Sequence, residues 1–87
     1  MASQYFVYVI WNATHSRYYV GQTEDIDKRL RQHNDPENNM SKFTKKYDGG
    51  WVLLYSETLP SRSGAMKREK ELKTGKGRDW IKSHILP

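Results

Sequence analysis

Two short segments rich in aromatic and β-branched residues constrain the fold of this chain most strongly. They read FVY at residues 6–8 and YVG at residues 19–21, with a polar connector of hairpin length between them. Such runs favour β-strands, so the sequence predicts an antiparallel hairpin. Because side chains alternate between the two faces of a strand, Tyr8 shares a face with Phe6 and Ile10. Tyr19 and Gly21 share a face of the returning strand.

The rest of the chain predicts one further strand and three helices. On the first helix, Arg29 and His33 fall on the apolar stripe, where a cation needs a partner. On the second helix, Glu69 falls on an inner stripe with other residues of apolar type. The predicted strands cover residues 5–11, 17–22 and 51–59. The predicted helices cover residues 25–33, about 61–73 (capped by Ser61 or Ser63) and 78–85, and a connector covers residues 34–50. The inner stripe of the second helix contains Ala65, Met66 and Leu72, and Gly75 and Gly77 are predicted to break the helix.

Length and composition predict one small domain over residues 1–87. The hydrophobic share is 36%, but the aromatic share is 13%, so each core side chain can bury a large area. With no cysteine there is no disulfide partner and no thiolate metal site. We find no signal-peptide pattern and no apolar run of the roughly 20 residues that a membrane helix needs. We therefore expect a soluble, cytoplasmic monomer with no membrane association.

The charge pattern indicates a polyanionic partner. The net charge is +5 with a pI near 9.6, and residues 67–82 hold seven basic residues against three acids. Charge alone is equally typical of a solvated surface. Aromatic residues interleaved with lysine favour nucleic acid. The lysines concerned are Lys42, Lys45 and Lys46 in the connector and Lys67, Lys70 and Lys73 on the second helix, with Phe43, Tyr47 and Trp80 as the aromatic residues.

Five pieces of sequence in one order resemble the GIY-YIG nuclease family, and most closely its short single-domain members. The resemblance covers about residues 5–78. It implies an α/β (α+β) fold, with a small three-stranded antiparallel sheet flanked by helices. The pieces are Tyr8, Tyr19-Val20-Gly21, Arg29, His33-Asn34 and Ala65-Met66-Lys67-Arg68-Glu69.

The resemblance implies metal-dependent hydrolysis of DNA phosphodiester bonds, in repair or in the processing of branched or nicked DNA. It makes Tyr8 the general base or proton relay, and it gives Tyr19 the positioning of water and phosphate. Arg29 would hold the scissile phosphate, and Glu69 would bind one Mg²⁺ or Mn²⁺ ion. His33 matches a helix histidine that some members use as a proton carrier. Gly21 and Gln22 join the lysines above as phosphate-binding candidates.

Elementary chemistry supports these roles. A free phenol has a pKa near 10 and is a poor base at neutral pH, so we expect a nearby guanidinium or metal to lower the pKa of Tyr8. The planar fork of an arginine suits two phosphate oxygens. Magnesium keeps most of its waters, so one glutamate can recruit it when substrate oxygens complete its shell. At Gly21, the sugar-phosphate chain can approach where a Cβ would interfere.

The chain departs from the family pattern in three places. The first triad reads Phe-Val-Tyr without the family's glycine, which small members often lack. Gln22 stands where repair nucleases have a lysine, and no asparagine follows Asn39. Each site residue also has an ordinary structural interpretation. Tyr8 and Tyr19 could be core aromatics, Arg29 could pair with Glu24 or Asp25, His33 could be a packed histidine, and Glu69 could pair with Lys73.

Three functions are therefore compared. The first is an active DNA endonuclease. The second is a nucleic-acid-binding module that has kept the nuclease fold without turnover. The third is a protein-interaction domain whose basic helix docks an acidic partner. Retention of Glu69 beside two tyrosines favours the first, since a binder needs no lone acid in a phosphate cleft.

Overall fold

The computed structural model describes residues 4–35, 37, 44 and 46–87. Within them the chain forms three strands and three helices, close to the elements that the sequence predicts. Lys42, Phe43 and Lys45 of the predicted connector lie outside the described residues. The elements are β1 (Tyr5–Asn12), β2 (Arg17–Thr23), α1 (Ile26–Asn34), β3 (Val52–Leu59), α2 (Arg62–Leu72) and α3 (Gly75–His84).

The strands form one antiparallel sheet in the order β2-β1-β3. Tyr8 lies opposite Gly21 and Ile10 lies opposite Tyr19, so the hairpin sets both tyrosines on one face. Between β1 and β3 the register shifts after Val9, which forms a bulge. The α+β fold with a three-stranded antiparallel sheet and flanking helices is thus confirmed.

Each face of the sheet carries its own apolar core. The odd-numbered residues of β1 pack with Val20 against α2 and α3, whose contributions include Leu72 and Ile81. The even-numbered residues pack on the other side. There Tyr8, Ile10 and Trp51 form a second cluster, with Leu30 of α1 against it. Burial on both faces keeps the central strand and its tyrosine in one position.

The helix starts follow capping chemistry. Asp25 accepts a hydrogen bond from the Lys28 amide and begins α1, and Ser61, one of the two predicted caps, accepts from the Gly64 amide and begins α2. The predicted break before the last helix is confirmed, but Gly75 and Gly77 are not the residues that make it. Instead α2 ends at Leu72, and α3 begins at Gly75.

Close packing explains the second glycine. A Cβ on Gly77 would lie within 2.6 Å of the Leu72 backbone, so glycine here allows α3 to start directly against the end of α2. Met66 also departs from the prediction: it is 46% exposed rather than part of the inner stripe, since Ala65 and Leu72 face the sheet. On the same helix Arg68 pairs with Glu57 of β3 at 2.9 Å, which ties α2 to the sheet. None of the described helices is long and apolar enough to cross a membrane.

Candidate active site

Tyr8 is the centre of the site. Its side chain is 3% exposed, and its ring lies over the backbone of Gly21 on the neighbouring strand. A Cβ at Gly21 would lie 2.6 Å from Tyr8 Cζ and 3.0 Å from Tyr19 Cε2. The glycine is therefore required by the tyrosine ring, and not only by an approaching substrate. The Tyr8 and Tyr19 ring centroids are 6.4 Å apart.

His33 closes the site from the side of α1. It is 5% exposed, and its Nε2 is hydrogen-bonded to the Tyr8 hydroxyl at 2.8 Å. Its ring also meets the Tyr19 ring edge-on at 5.1 Å. On its other side, Nδ1 is hydrogen-bonded at 3.0 Å to the hydroxyl of Thr44, which is 2% exposed. His33 is thus a packed histidine, and it is also hydrogen-bonded to the hydroxyl of Tyr8, the proposed general base or proton relay.

Arg29 and Glu69 act on Tyr8 through their charges. The Arg29 guanidinium acts electrostatically on both Tyr8 and His33, and the Glu69 carboxylate acts on Tyr8. The hairpin, α1 and α2 therefore bring Tyr8, Tyr19 and His33 into ring or hydrogen-bond contact, and they bring the two charged side chains within electrostatic range. The fold thus brings these five residues, distant along the chain, within interaction range of Tyr8.

The protonation of this cluster is opposite to the prediction for Tyr8. Burial raises the pKa of Tyr8 well above its usual range, Tyr19 and Glu69 act in the same direction, and the opposing effect of Arg29 is smaller. Burial, aided by the Arg29 charge, lowers the pKa of His33 to about 4. At neutral pH the pair thus consists of a protonated phenol and a neutral imidazole.

Lys73 is placed beside the predicted metal ligand. Its Nζ lies 3.1 Å from Glu69 Oε2, one helical turn away, so the pairing considered in the sequence is present. The same Nζ lies 5.7 Å from the centroid of the Tyr19 ring. An exposed pair of this kind contributes at most about 1 kcal/mol, so the carboxylate can exchange this partner for another cation at little cost.

A basic cleft continues from Tyr19 along the hairpin. Its walls combine aromatic rings and cations, and no acidic side chain is among the described residues that line it. Sequence reasoning missed Trp11, Arg17 and Tyr18 here, although pairing the predicted strands would have set Trp11 opposite Tyr18. The lining includes Trp11, Arg17, Tyr18, Tyr19, Tyr47, Lys73, Arg78 and Lys82.

The remaining predicted phosphate-binding residues are spread over the surface. Gln22 and Arg29 line a separate depression, together with Lys28 and Arg62. Lys46, Lys67 and Lys70 are exposed, but they do not line the basic cleft. Lys42 and Lys45 lie outside the described residues, so their predicted role has no structural account.

Comparison with known proteins identifies the family of this fold. A family model described as the GIY-YIG catalytic domain matches residues 4–82, so the chain belongs to the GIY-YIG family and has a nuclease-type fold. It is also similar to proteins named UPF0213. One from Staphylococcus epidermidis is 34% identical over 71 residues, 82% of this chain and 82% of that protein. One from Haloquadratum walsbyi is 31% identical over 77 residues, 85% and 79% of the two chains.

A solved structure shows the same fold. The solution NMR structure of a UPF0213 protein from Bacillus halodurans superposes with a TM-score of 0.53 at 26% identity. The match covers 92% of this chain and 83% of that one. Fold and family therefore agree.

The donor set fits one divalent cation, which nucleases of this family generally use. No group of three or more His, Cys, Asp or Glu residues gathers within the part of the chain that the structure describes. The side chain of Glu69 is 25% exposed and offers one carboxylate within electrostatic range of Tyr8. Mg²⁺ is commonly held by one or two carboxylates together with substrate phosphate and water, so a single glutamate suffices.

Proposed function

We propose that this protein is a metal-dependent endonuclease that hydrolyses DNA phosphodiester bonds, with Tyr8, Tyr19, Arg29 and His33 as catalytic residues and Glu69 as the metal ligand. Branched or nicked DNA, as arises in repair, is the proposed substrate. One observation carries the proposal: a buried tyrosine is hydrogen-bonded to a neutral histidine and lies within electrostatic range of both an arginine and a lone carboxylate.

The proton moves along the Tyr8–His33 hydrogen bond. Because the raised pKa keeps Tyr8 protonated, the phenol cannot act as a preformed base and works as a relay. As a water attacks phosphorus, its proton passes to Tyr8 Oη while the phenolic proton passes to His33 Nε2. General-base assistance of this type contributes typically about 10²- to 10⁴-fold in rate.

Arg29, Tyr19 and Glu69 complete the proposed reaction. Arg29 would donate two hydrogen bonds to the phosphate and stabilise the charge that develops on it. Tyr19 packs against both Tyr8 and His33 and orients the attacking water and the phosphate. A divalent cation on Glu69 would polarise the phosphoryl oxygen and stabilise the leaving alkoxide.

The basic cleft supports nucleic acid as the substrate. Cations attract the phosphate backbone, and aromatic side chains offer surfaces on which bases stack. The cleft begins at Tyr19 and Lys73, so a DNA strand bound in it would pass beside the proposed catalytic residues.

An assay with Glu69→Ala tests the proposal. The purified protein is incubated with plain, nicked, forked and single-stranded DNA, with Mg²⁺, Mn²⁺ or EDTA. We expect cleavage that needs the metal, and a loss of about 100-fold or more in Glu69→Ala with DNA affinity nearly unchanged.

Glu71→Ala is the matched control. Glu71 lies on the same helix but pairs with Arg68 at 3.3 Å, away from Tyr8, so this variant should cut like wild type. Equal cleavage by both variants would refute Glu69 as the metal ligand. Tight DNA binding without cleavage under any of these conditions would favour the non-catalytic binding module.

A further inference from the structure

Thr44 belongs to a closed chain of hydrogen bonds behind the site. Its hydroxyl meets His33 Nδ1 at 3.0 Å, and its carbonyl accepts from the Trp51 indole Nε1 at 3.3 Å. Trp51 is in turn held at two points by Asn34, whose Oδ1 accepts from the Trp51 amide at 2.6 Å and whose Nδ2 donates to the Trp51 carbonyl at 3.0 Å. Asn34 follows His33 in α1, so this series of hydrogen bonds leads back to the residue beside His33.

This arrangement fixes Thr44 relative to the histidine. Both Thr44 and Trp51 are buried, so the hydroxyl and the imidazole meet away from bulk water. A buried hydrogen-bonding group left without its partner is destabilising, which favours keeping both ends paired. Thr44 is thus built into the site through side chains of α1.

The two hydrogen bonds of His33 allow two proton arrangements. In one, Nδ1–H donates to Thr44 and Nε2 accepts from Tyr8; in the other, Nε2–H donates to Tyr8 and Nδ1 accepts from Thr44. A phenol is a better donor than an aliphatic alcohol, and its oxygen is a poorer acceptor because its lone pair is shared with the ring. The first arrangement matches each group to its stronger role.

We infer that Thr44 is a positioning residue that holds His33 in the Nδ1–H tautomer, so that the Nε2 lone pair faces the Tyr8 hydroxyl. The hydrogen bond at one ring nitrogen determines which nitrogen of a neutral histidine carries the proton. The inference rests on the proposed function, since that lone pair accepts the proton which Tyr8 passes on. Without the Thr44 hydroxyl, the Nε2–H tautomer blocks this transfer.

The test reads the tautomer directly in the free protein. Nitrogen-15 NMR of the imidazole rings should show His33 with a protonated Nδ1 and an unprotonated Nε2 in wild type. Thr44→Val keeps the shape and the backbone carbonyl but removes the hydroxyl, so the Nε2–H form should become populated. Thr44→Ser should restore the wild-type pattern, and Thr58→Val, at an exposed threonine of β3, should not change it.

Cleavage supplies the second reading. Single-turnover cleavage by Thr44→Val should fall by about 10- to 100-fold with DNA affinity unchanged, and Thr44→Ser should stay close to wild type. A wild-type His33 in the Nε2–H form overturns the inference, even if Thr44→Val does not fold. The predicted tautomer in a protein that cuts no DNA would support the assignment of Thr44 and contradict the nuclease.

Discussion

At the scale of single residues, the pairing of Tyr8 with His33 determines the chemistry available to the site. The Tyr8 phenol and the His33 imidazole are both uncharged at neutral pH, because burial opposes a charge on each. A buried pair of this kind can pass a proton from one group to the other although neither group is ionised before the transfer.

The lowered pKa of His33 predicts how stability depends on pH. Between pH 6.5 and about 4 the unfolded chain binds a proton at this histidine and the native protein does not, so the free energy of unfolding rises with pH. From pH 7 to pH 4 this contribution amounts to a loss of about 3 kcal/mol. Urea unfolding across this range measures it.

His33→Gln isolates the effect from that of the acidic residues. Glutamine cannot be protonated, so the variant should lose this part of the pH dependence, whereas His84→Gln, at the exposed end of α3, should keep it. Parallel curves for wild type and His33→Gln would contradict the assignment.

At the scale of elements, the β1–β2 hairpin is the part that holds the tyrosines. The register sets Gly21 directly beneath the Tyr8 ring, and the absence of a side chain there is what lets the hydroxyl reach His33. Glycine weakens a strand in isolation, but at this position it allows the Tyr8 ring to lie close to the backbone.

Gly21→Ala should therefore impair both stability and cleavage. The new Cβ meets the Tyr8 hydroxyl end of the ring, so the ring must move, at a cost of about 1–3 kcal/mol. A displacement near 1 Å at the reacting centre lowers the rate about 100-fold. Urea unfolding and single-turnover cleavage measure the two effects.

Gly75→Ala is the control for that substitution. A Cβ at Gly75 meets nothing within 4 Å, so this variant should be as stable as wild type or more stable by up to about 1 kcal/mol. Unchanged stability and cleavage in Gly21→Ala would show that the Tyr8 ring does not depend on the glycine.

The elements also mark where sequence reasoning succeeded and where it could not. Alternation predicted that Tyr8 shares a face with Ile10 and that Tyr19 shares a face with Gly21, and the strand register then sets both pairs on one face of the sheet. Helical spacing predicted Glu69 in line with Ala65 and Leu72. Thr44 was not predicted, since its contact with His33 depends on a connector held by Asn34 and Trp51, without any periodicity. The direction of the Tyr8 pKa shift was wrong because desolvation depends on tertiary packing.

At the scale of the whole molecule, two helices on opposite faces of one sheet contribute to a single site. Helix α1 supplies Arg29 and His33, and α2 supplies Glu69 from the other side. In the proposed function these oppositely charged groups act on one phosphate, with the sheet fixing their separation and the basic cleft holding the DNA strand.

The most direct test of this convergence compares two arginines of α1. Arg29 is half-buried and acts on Tyr8, whereas Arg31 is exposed two residues away, so the two share charge and helix but not the site. Single-turnover cleavage is measured with saturating protein and Mn²⁺ on the best substrate of the DNA panel. We predict that Arg29→Ala loses about 100-fold or more and that Arg31→Ala stays within about threefold of wild type. Equal rates in the two variants would contradict the account.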